Sequence, residues 1–132
     1  MTLRCVIVDD NPEVLRAASE LLERQGVTVV GLAVNGEEAL RVTEETRPDV
    51  VLVDIGLGPE SGFDVVRRLA QGVPTAGPRT VLISTHEEAD FADLIAASPA
   101  LGFLSKSDLS AQAIHLLLER GRPPGPIEPP GR

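Results

Sequence analysis

The sequence predicts a doubly wound α/β domain in which five parallel strands alternate with five helices. Five apolar runs of roughly four to six residues follow one another along the chain, and a segment with helical spacing of apolar residues comes after each. Strands that alternate with helices pair in parallel, because each crossover has the length of a helix. The 132 residues, of which 42% are hydrophobic, suffice for one core of this kind and are too few for a second folded domain.

The first half of the chain is expected to supply three strands and two helices. Apolar runs predict strands at 3–8, 27–33 and 50–53. Asn11 and Pro12 are typical of a helix start, Gly26 of a helix end, and Asn35 precedes the second helix. The third run is apolar without interruption, which indicates a buried central strand, and it ends at Asp54.

The second half is expected to complete the sheet and to end in a tail. Further strands are predicted at 79–84 and 101–104, with helices beginning near Phe63 and at about 87–97 and 108–120; a connection rich in proline and glycine occupies 71–78. We expect the fourth helix to bury Phe91, Leu94 and Ile95 and the fifth to bury Leu109, Ala113, Leu116 and Leu117. Residues 1–121 would form the domain, and the Pro/Gly-rich segment 122–132 a disordered tail or the stub of a linker.

Charge and cysteine content narrow the function classes. The formal net charge is -8, which disfavours direct binding to nucleic acid or to an anionic membrane. The apolar runs are too short for a membrane span or a signal peptide. The single cysteine, Cys5, lies in an apolar run, so we expect a buried thiol without a disulfide, as in a reducing cytoplasm.

Polar side chains stand at the ends of four predicted strands. The first ends at Asp9 and Asp10, the third at Asp54, the fourth at Ser84 and the fifth at Lys106. The carboxyl ends of parallel strands share one edge of the sheet, where ligands bind in this class of fold. Three neighbouring carboxylates repel one another unless a cation compensates them. Because the ligands are all oxygens, the sequence favours Mg²⁺ at this edge.

These motifs resemble those of the receiver domains of two-component response regulators over about residues 3–120. The resemblance rests on four motifs in this order: Val-Asp9-Asp10, Val-Leu-Val-Asp54, Leu-Ile-Ser84 and Gly-Phe103-Leu-Ser-Lys106. It implies a flavodoxin-like (βα)5 fold with strand order 2-1-3-4-5.

The resemblance also implies a phosphoacceptor site. Asp54 would accept a phosphoryl group from the phosphohistidine of a sensor histidine kinase. Asp10 and Asp54 would bind Mg²⁺ together with the backbone carbonyl of Gly56, and Asp9 would act mainly through metal-bound water. Lys106 would pair with the Asp54 carboxylate and then with a phosphoryl oxygen.

The remaining implied roles concern switching and partners. Ser84 would donate a hydrogen bond to the phosphoryl group, and Phe103 occupies the position of an aromatic switch residue. Gly56 and His86 occupy positions that modulate the lifetime of the phosphate. The chain would be a cytoplasmic signalling domain rather than an enzyme, and would act on a downstream protein target or output domain, with a homodimer as a possible state.

Four local features depart from the family pattern, and one of them is Gly56 with His86 at the positions that modulate the lifetime of the phosphate, where Gly56 presents no side chain. Gly58 stands where the family usually has proline, and Pro59 comes one residue later. Ser107 follows the lysine where a cis proline is common, and a cis bond before a residue other than proline costs roughly 3 kcal/mol, which favours trans here. The connection at 71–78 is long for the family.

The sequence argues against two other classes of protein, a phosphatase and a flavin carrier. A haloacid-dehalogenase-type phosphatase needs a second aspartate two residues after its nucleophile, where Gly56 stands. A flavin mononucleotide carrier needs a hydroxyl-rich phosphate loop, whereas Asp9 and Asp10 would repel the phosphate. The alternative that stays open is a receiver-like docking module that works without phosphorylation.

Overall fold

A five-stranded parallel sheet forms the centre of the molecule. The computed structural model describes residues 2–72, 78–85 and 88–120. The sheet strands are β1 (Arg4–Val8), β2 (Thr28–Ala33), β3 (Val50–Asp54), β6 (Arg79–Ser84) and β7 (Gly102–Ser105), and a short antiparallel hairpin consists of β4 (Gly56–Leu57) and β5 (Glu60–Ser61). The helices are α1 (Pro12–Arg24), α2 (Gly36–Thr46), α3 (Gly62–Gly72), α4 (Ala92–Ala97) and α5 (Ala111–Arg120), with 3-10 turns at Glu88–Phe91 and Lys106–Asp108.

The order of the sheet strands is β2-β1-β3-β6-β7, and every neighbouring pair is parallel. The hairpin lies outside this sheet, so the order is the predicted 2-1-3-4-5, and the predicted fold class is confirmed. In register, Val8 lies opposite Val53, Asp54 opposite Ile83, and Ser84 opposite Ser105. The carboxyl ends of β1, β3, β6 and β7 therefore reach the same edge of the sheet.

The central strand β3 separates two apolar cores. Its first four residues are fully buried and alternate between the two faces, as the two-residue period of a strand requires. Val51 and Val53 pack in the core beneath α2 and α3, whereas Val50 and Leu52 pack in the core beneath α1 and α5. Since both faces of the sheet are covered, the uninterrupted apolar sequence of β3 follows from its position.

The helix starts follow their capping residues. The Asn11 side chain accepts a hydrogen bond from the Glu13 N–H, with Pro12 in the first turn of α1. The Asn35 side chain accepts from the Glu38 N–H at the start of α2. These local signals place α1 and α2 immediately after the strands that precede them.

Two predicted core residues of the last helices are exposed. Leu94 is 55% and Leu116 is 46% exposed, so the expectation that they are buried is wrong. The helix α4 has only six residues, and none of them is buried. The helix α5 begins at Ala111, after a 3-10 turn, and its buried side chains are Ile114 and Leu118. Leu109 is buried as predicted and Leu117 packs against the same core, so the prediction failed at Leu116 and missed Ile114.

Several expectations concern residues beyond those that the structure describes. The boundary at 121, the tail at 122–132, residues 73–77 of the long connection, and His86 all lie outside the described ranges. Within the described residues no peptide bond is cis, so the bond between Lys106 and Ser107 is trans. None of the helices in these ranges is long and apolar enough to cross a membrane.

Candidate functional site

Three carboxylates meet at the edge where the strands end. Asp9 and Asp10 follow β1, Asp54 is the last residue of β3, and one oxygen from each lies within 4.8 Å of the others. Asp9 is 1% and Asp54 is 7% exposed, whereas Asp10 is exposed to solvent. This arrangement is a buried pair of acidic groups with an accessible third one, which is suited to a hard cation that enters from solvent.

Lys106 supplies the positive charge on the protein side of this cluster. It follows β7 directly, and its Nζ donates a hydrogen bond of 2.7 Å to Asp9 Oδ2. The same nitrogen lies 3.5 Å from Asp54 Oδ2. The other oxygen of Asp9 accepts a hydrogen bond from the Asn11 N–H at 2.9 Å, so the Asp9 carboxylate is held from two sides. Lys106 thus compensates two buried carboxylates at once.

The neighbours of Asp54 shift its pKa. Burial and the negative charge of Asp9 raise the pKa of the Asp54 carboxyl, and this outweighs the opposing effects of Lys106 and of the Gly56 N–H, which donates to Oδ1 at 3.4 Å. For Lys106, burial lowers the pKa, but the hydrogen bond to Asp9 and the charge of Asp54 raise it further, so that the net pKa is raised. Lys106 therefore keeps its proton and its positive charge. The charged form of Asp54 is disfavoured, and an added cation would stabilise it.

The hairpin that follows Asp54 borders the acidic cluster. Gly56 pairs with Ser61 and Leu57 pairs with Glu60. Gly58 has a φ of +66°, as the first central position of a type II′ turn requires, and Pro59 follows it in the turn. A Cβ atom at Gly58 would lie 3.5 Å from Asp10 Oδ2, so the turn passes beside this carboxylate. The Gly-Pro order that departs from the family pattern is thus the turn of a short hairpin.

Gly62 brings the end of this hairpin back to β3, the strand that carries Asp54. Its N–H donates a hydrogen bond of 2.7 Å to the Ile55 carbonyl. A Cβ at this position would lie 2.2 Å from the Asp54 carbonyl oxygen. Only glycine permits this approach, which ties the start of α3 to the backbone of Asp54.

The other predicted residues lie near the same edge or beyond the described ranges. Ser84 is buried at the end of β6, one residue past the partner of Asp54 in the register. Phe103 is buried in the core that also contains Phe63, whose ring packs against Phe91 with centroids 6.2 Å apart. The structure therefore joins Asp9, Asp54 and Lys106 by direct contact. It places an oxygen of Asp10 within 4.8 Å of the other two carboxylates, and it places Ser84 beside them by register.

Glu60 and Gly36, which contact each other, were not among the predicted site residues. Glu60 Oε1 accepts a hydrogen bond of 2.7 Å from the Gly36 N–H at the start of α2. The two residues are 24 positions apart, and neither belongs to a motif, so no sequence signal pairs them.

Comparison with known proteins identifies the family. The model of the response regulator receiver domain matches residues 5–118. The chain belongs to this family. The crystal structure of a two-component response regulator of the LuxR family from Aurantimonas sp. SI85-9A1 superposes on this receiver with a TM-score of 0.80 and 30% sequence identity, covering 91% of this chain and 87% of that one.

Curated relatives contain this receiver as one part of a longer protein. Response regulator GacA of Pseudomonas viridiflava is 29% identical over 116 residues, which cover 87% of this chain and 53% of the relative. Protein-glutamate methylesterase/protein-glutamine glutaminase 1 of Syntrophus aciditrophicus is 34% identical over 115 residues, which cover 83% of this chain and 32% of the relative. The chain spans about half the length or less of these relatives, and what they share with it is the receiver.

Proposed function

We propose that this receiver accepts a phosphoryl group on Asp54 from the phosphohistidine of a sensor histidine kinase, with Mg²⁺ as its cofactor. The observation that carries the proposal is the surroundings of Asp54. It ends the central strand, is almost fully buried, lies 3.5 Å from Lys106 Nζ and shares a cluster with Asp9 and Asp10. Phosphoryl transfer depends mostly on positioning and charge neutralisation, and these groups can provide both.

The donor set fits Mg²⁺. Three carboxylates against one ammonium leave two uncompensated negative charges, which a divalent cation would balance. All side-chain ligands are oxygens, and the exposed Asp10 gives access from solvent. Asp10, Asp54 and the Gly56 backbone carbonyl would hold the ion, with Asp9 acting through water. When bound, Mg²⁺ supplies positive charge against the phosphoryl oxygens.

The residues of the chain carry the transfer step. An oxygen of Asp54 attacks phosphorus, so that an O–P bond forms while the P–N bond to the kinase histidine breaks and the imidazole nitrogen keeps the electron pair. Lys106, which already bridges Asp9 and Asp54, then pairs with a phosphoryl oxygen. The hydroxyl of Ser84 donates a hydrogen bond to the phosphoryl group, and Phe103 responds as the switch residue.

Further roles belong to the same proposal. Gly56 carries no side chain to obstruct a water that attacks the phosphoryl group, and His86 would modulate the lifetime of the phosphate together with it. Residues 1–121 would act as the receiver and 122–132 as a tail or linker. The domain would work in the cytoplasm without catalysing a reaction on other molecules, and would signal to a protein target or an output domain, as a monomer or homodimer.

Phosphorylation by a small donor tests the proposal directly. Incubation with acetyl phosphate and Mg²⁺ is expected to add the mass of one phosphoryl group, detected by intact-mass spectrometry and by retardation in a phosphate-affinity gel. The adduct should be absent in Asp54→Asn and without Mg²⁺. The phosphoacceptor role is wrong if the wild-type protein forms no phosphoryl adduct and its nuclear magnetic resonance spectrum does not change on addition of beryllofluoride and Mg²⁺. In that case the docking module that works without phosphorylation is the better description.

A further inference from the structure

The side chain of Glu60 joins the hairpin after Asp54 to two helices. Glu60 Oε1 accepts the Gly36 N–H at 2.7 Å, in the first turn of α2, and Oε2 lies 3.3 Å from Arg68 Nη1 on α3. A carboxylate at the N-terminus of a helix is favoured by the helix dipole and by the free N–H groups there. The hydrogen bond to Gly36 is therefore charge-assisted and stronger than one between neutral groups.

The ion pair with Arg68 alone would not give Glu60 a special role. The side chain of Arg68 is exposed, and that of Glu60 is 32% exposed, so solvent screens this pair. Exposed ion pairs contribute little to stability. The contact with Gly36 is the one that fixes the position of the carboxylate.

Gly36 and Glu60 are matched in shape. A Cβ atom at residue 36 would lie 2.6 Å from Glu60 Oε2, 2.9 Å from Arg68 Nη1 and 3.0 Å from a methyl group of Val65. Any side chain at residue 36 would therefore displace the Glu60 carboxylate. The start of α2 leaves room for this carboxylate because it is a glycine.

The hairpin needs such an anchor, because its strands are only two residues long. Two-stranded pairs of this size are not stable by themselves in water. Leu57 is buried and anchors β4 to the core. Its partner in β5 is Glu60, whose hydrogen bond with the Gly36 N–H anchors the returning strand to α2. Gly56, the proposed carbonyl ligand, begins this hairpin and pairs with Ser61, next to Glu60.

We propose that Glu60 is a positioning residue for the cation site: its carboxylate, held by the Gly36 N–H, keeps the β4–β5 hairpin in the arrangement in which the Gly56 carbonyl can bind Mg²⁺. This inference rests on the proposed function, because it assigns Glu60 a part in Mg²⁺ binding. It adds a connection between α2 and the metal site that passes through one side chain.

Mg²⁺ affinity, measured by isothermal titration calorimetry on the full chain, tests the inference. Glu60→Ala is expected to weaken Mg²⁺ binding by about tenfold, which is the lower end of the effect of removing a residue that orients a metal ligand. Glu60→Gln keeps an oxygen acceptor for the Gly36 N–H, so it should retain most of the affinity. Glu45→Ala is the matched control, because it removes the same charge and a surface ion pair with Arg41 on α2, and it should bind like the wild type.

Gly36→Ala provides an independent arm. Because the added Cβ displaces the Glu60 carboxylate, this variant should lose as much Mg²⁺ affinity as Glu60→Ala. The double variant should be no worse than either single one, since both remove the same contact. Additive losses would show that the two residues act separately and would overturn the inference.

Unfolding by urea in EDTA separates positioning from general stability. A residue that only stabilises the fold would lower the free energy of unfolding and leave the Mg²⁺ affinity of the folded protein unchanged. That result for Glu60→Ala would overturn the positioning role while the phosphoacceptor role stands. If the wild-type protein itself binds no Mg²⁺, the proposed function fails, and this inference fails with it.

Discussion

Replacing Gly62 by alanine tests whether the close approach of the Gly62 backbone to the Asp54 backbone stabilises the fold. The added Cβ would lie 2.2 Å from the Asp54 carbonyl oxygen and 2.8 Å from the Ile55 Cα. Both contacts are with backbone atoms, which have no rotamer by which to move aside. The φ of Gly62 is not positive, so alanine suits the local conformation, and the cost is steric.

The expected loss is about 1 to 3.5 kcal/mol in the free energy of unfolding. To reach an ordinary contact distance, the two backbone segments must separate by roughly 1 Å, and overpacking of this kind costs about 1 to 3 kcal/mol. The separation also weakens the 2.7 Å hydrogen bond from the Gly62 N–H to the Ile55 carbonyl, which adds about 1 kcal/mol. The lower backbone entropy of alanine in the unfolded chain returns about 0.4 to 1 kcal/mol.

Urea unfolding followed by far-ultraviolet circular dichroism measures this loss, since the chain contains no tryptophan or tyrosine for fluorescence. The midpoint should fall while the slope stays unchanged, as for a change in stability alone. Gly56→Ala is the matched control in the same loop: a Cβ there meets no atom within 4 Å, and its effect should stay within about 0.5 kcal/mol. The reasoning is refuted if Gly62→Ala is as stable as the wild type, or if both variants lose the same amount.

Three further predictions concern the ionisable groups. Lys106→Met leaves the buried Asp9 and Asp54 carboxylates uncompensated, so the free energy of unfolding in EDTA should fall by about 2 kcal/mol or more. The variant should also not become phosphorylated by acetyl phosphate. A variant that is as stable as the wild type and becomes phosphorylated would contradict the role assigned to Lys106. Asp54→Asn removes a carboxyl whose pKa is raised by burial and by the charge of Asp9, so in EDTA at pH 7 the melting temperature of this variant should exceed that of the wild type. A raised acid pKa lowers stability only at a pH where the group is ionised in the unfolded chain, so this gain in melting temperature should vanish below pH 3.8, the ordinary pKa of the group. At pH 7, Mg²⁺ should reduce the difference in melting temperature between the variant and the wild type. A difference that does not depend on pH would exclude the electrostatic cause. Burial raises the pKa of the Cys5 thiol to about 12, so a thiol reagent at pH 8 should label Cys5 only after unfolding, and rapid labelling of the native protein would contradict its burial.

The sequence allowed the sheet and the membership of the acidic cluster to be predicted, because both depend on local signals. An apolar run identifies a strand wherever its partners lie, and a polar residue directly after the run marks the strand end. Parallel pairing then brings the ends together, which is why Asp9, Asp10, Asp54 and Lys106 could be grouped without coordinates. The shorter contact of Lys106 with Asp9 could not be predicted, since it joins side chains that follow β7 and β1, two strands that do not pair with each other.

The errors arose where several periodic patterns fit one segment. In the last helix, Leu116, Leu117 and Leu118 are consecutive, so a helical period could bury any of them. The choice depends on where the helix begins, and the 3-10 turn at Lys106–Asp108 moved that point. In α4, six residues are too few for a stable apolar stripe, and Leu94 remains at the surface.

The loop after Asp54 departs from the family pattern, yet it forms a hairpin that lies beside the acidic cluster. Gly58 and Pro59 replace one rigid element, a proline, by another, a tight turn in which glycine supplies the positive φ. The turn alone fixes only the tip of the hairpin. Its base is fixed by Gly62 against the Asp54 backbone, and its returning strand by Glu60 against α2. Since Glu60 contacts Gly36 at the start of α2 and Gly62 begins α3, the geometry of the proposed cation site depends on these two helices as well as on the strand that carries Asp54.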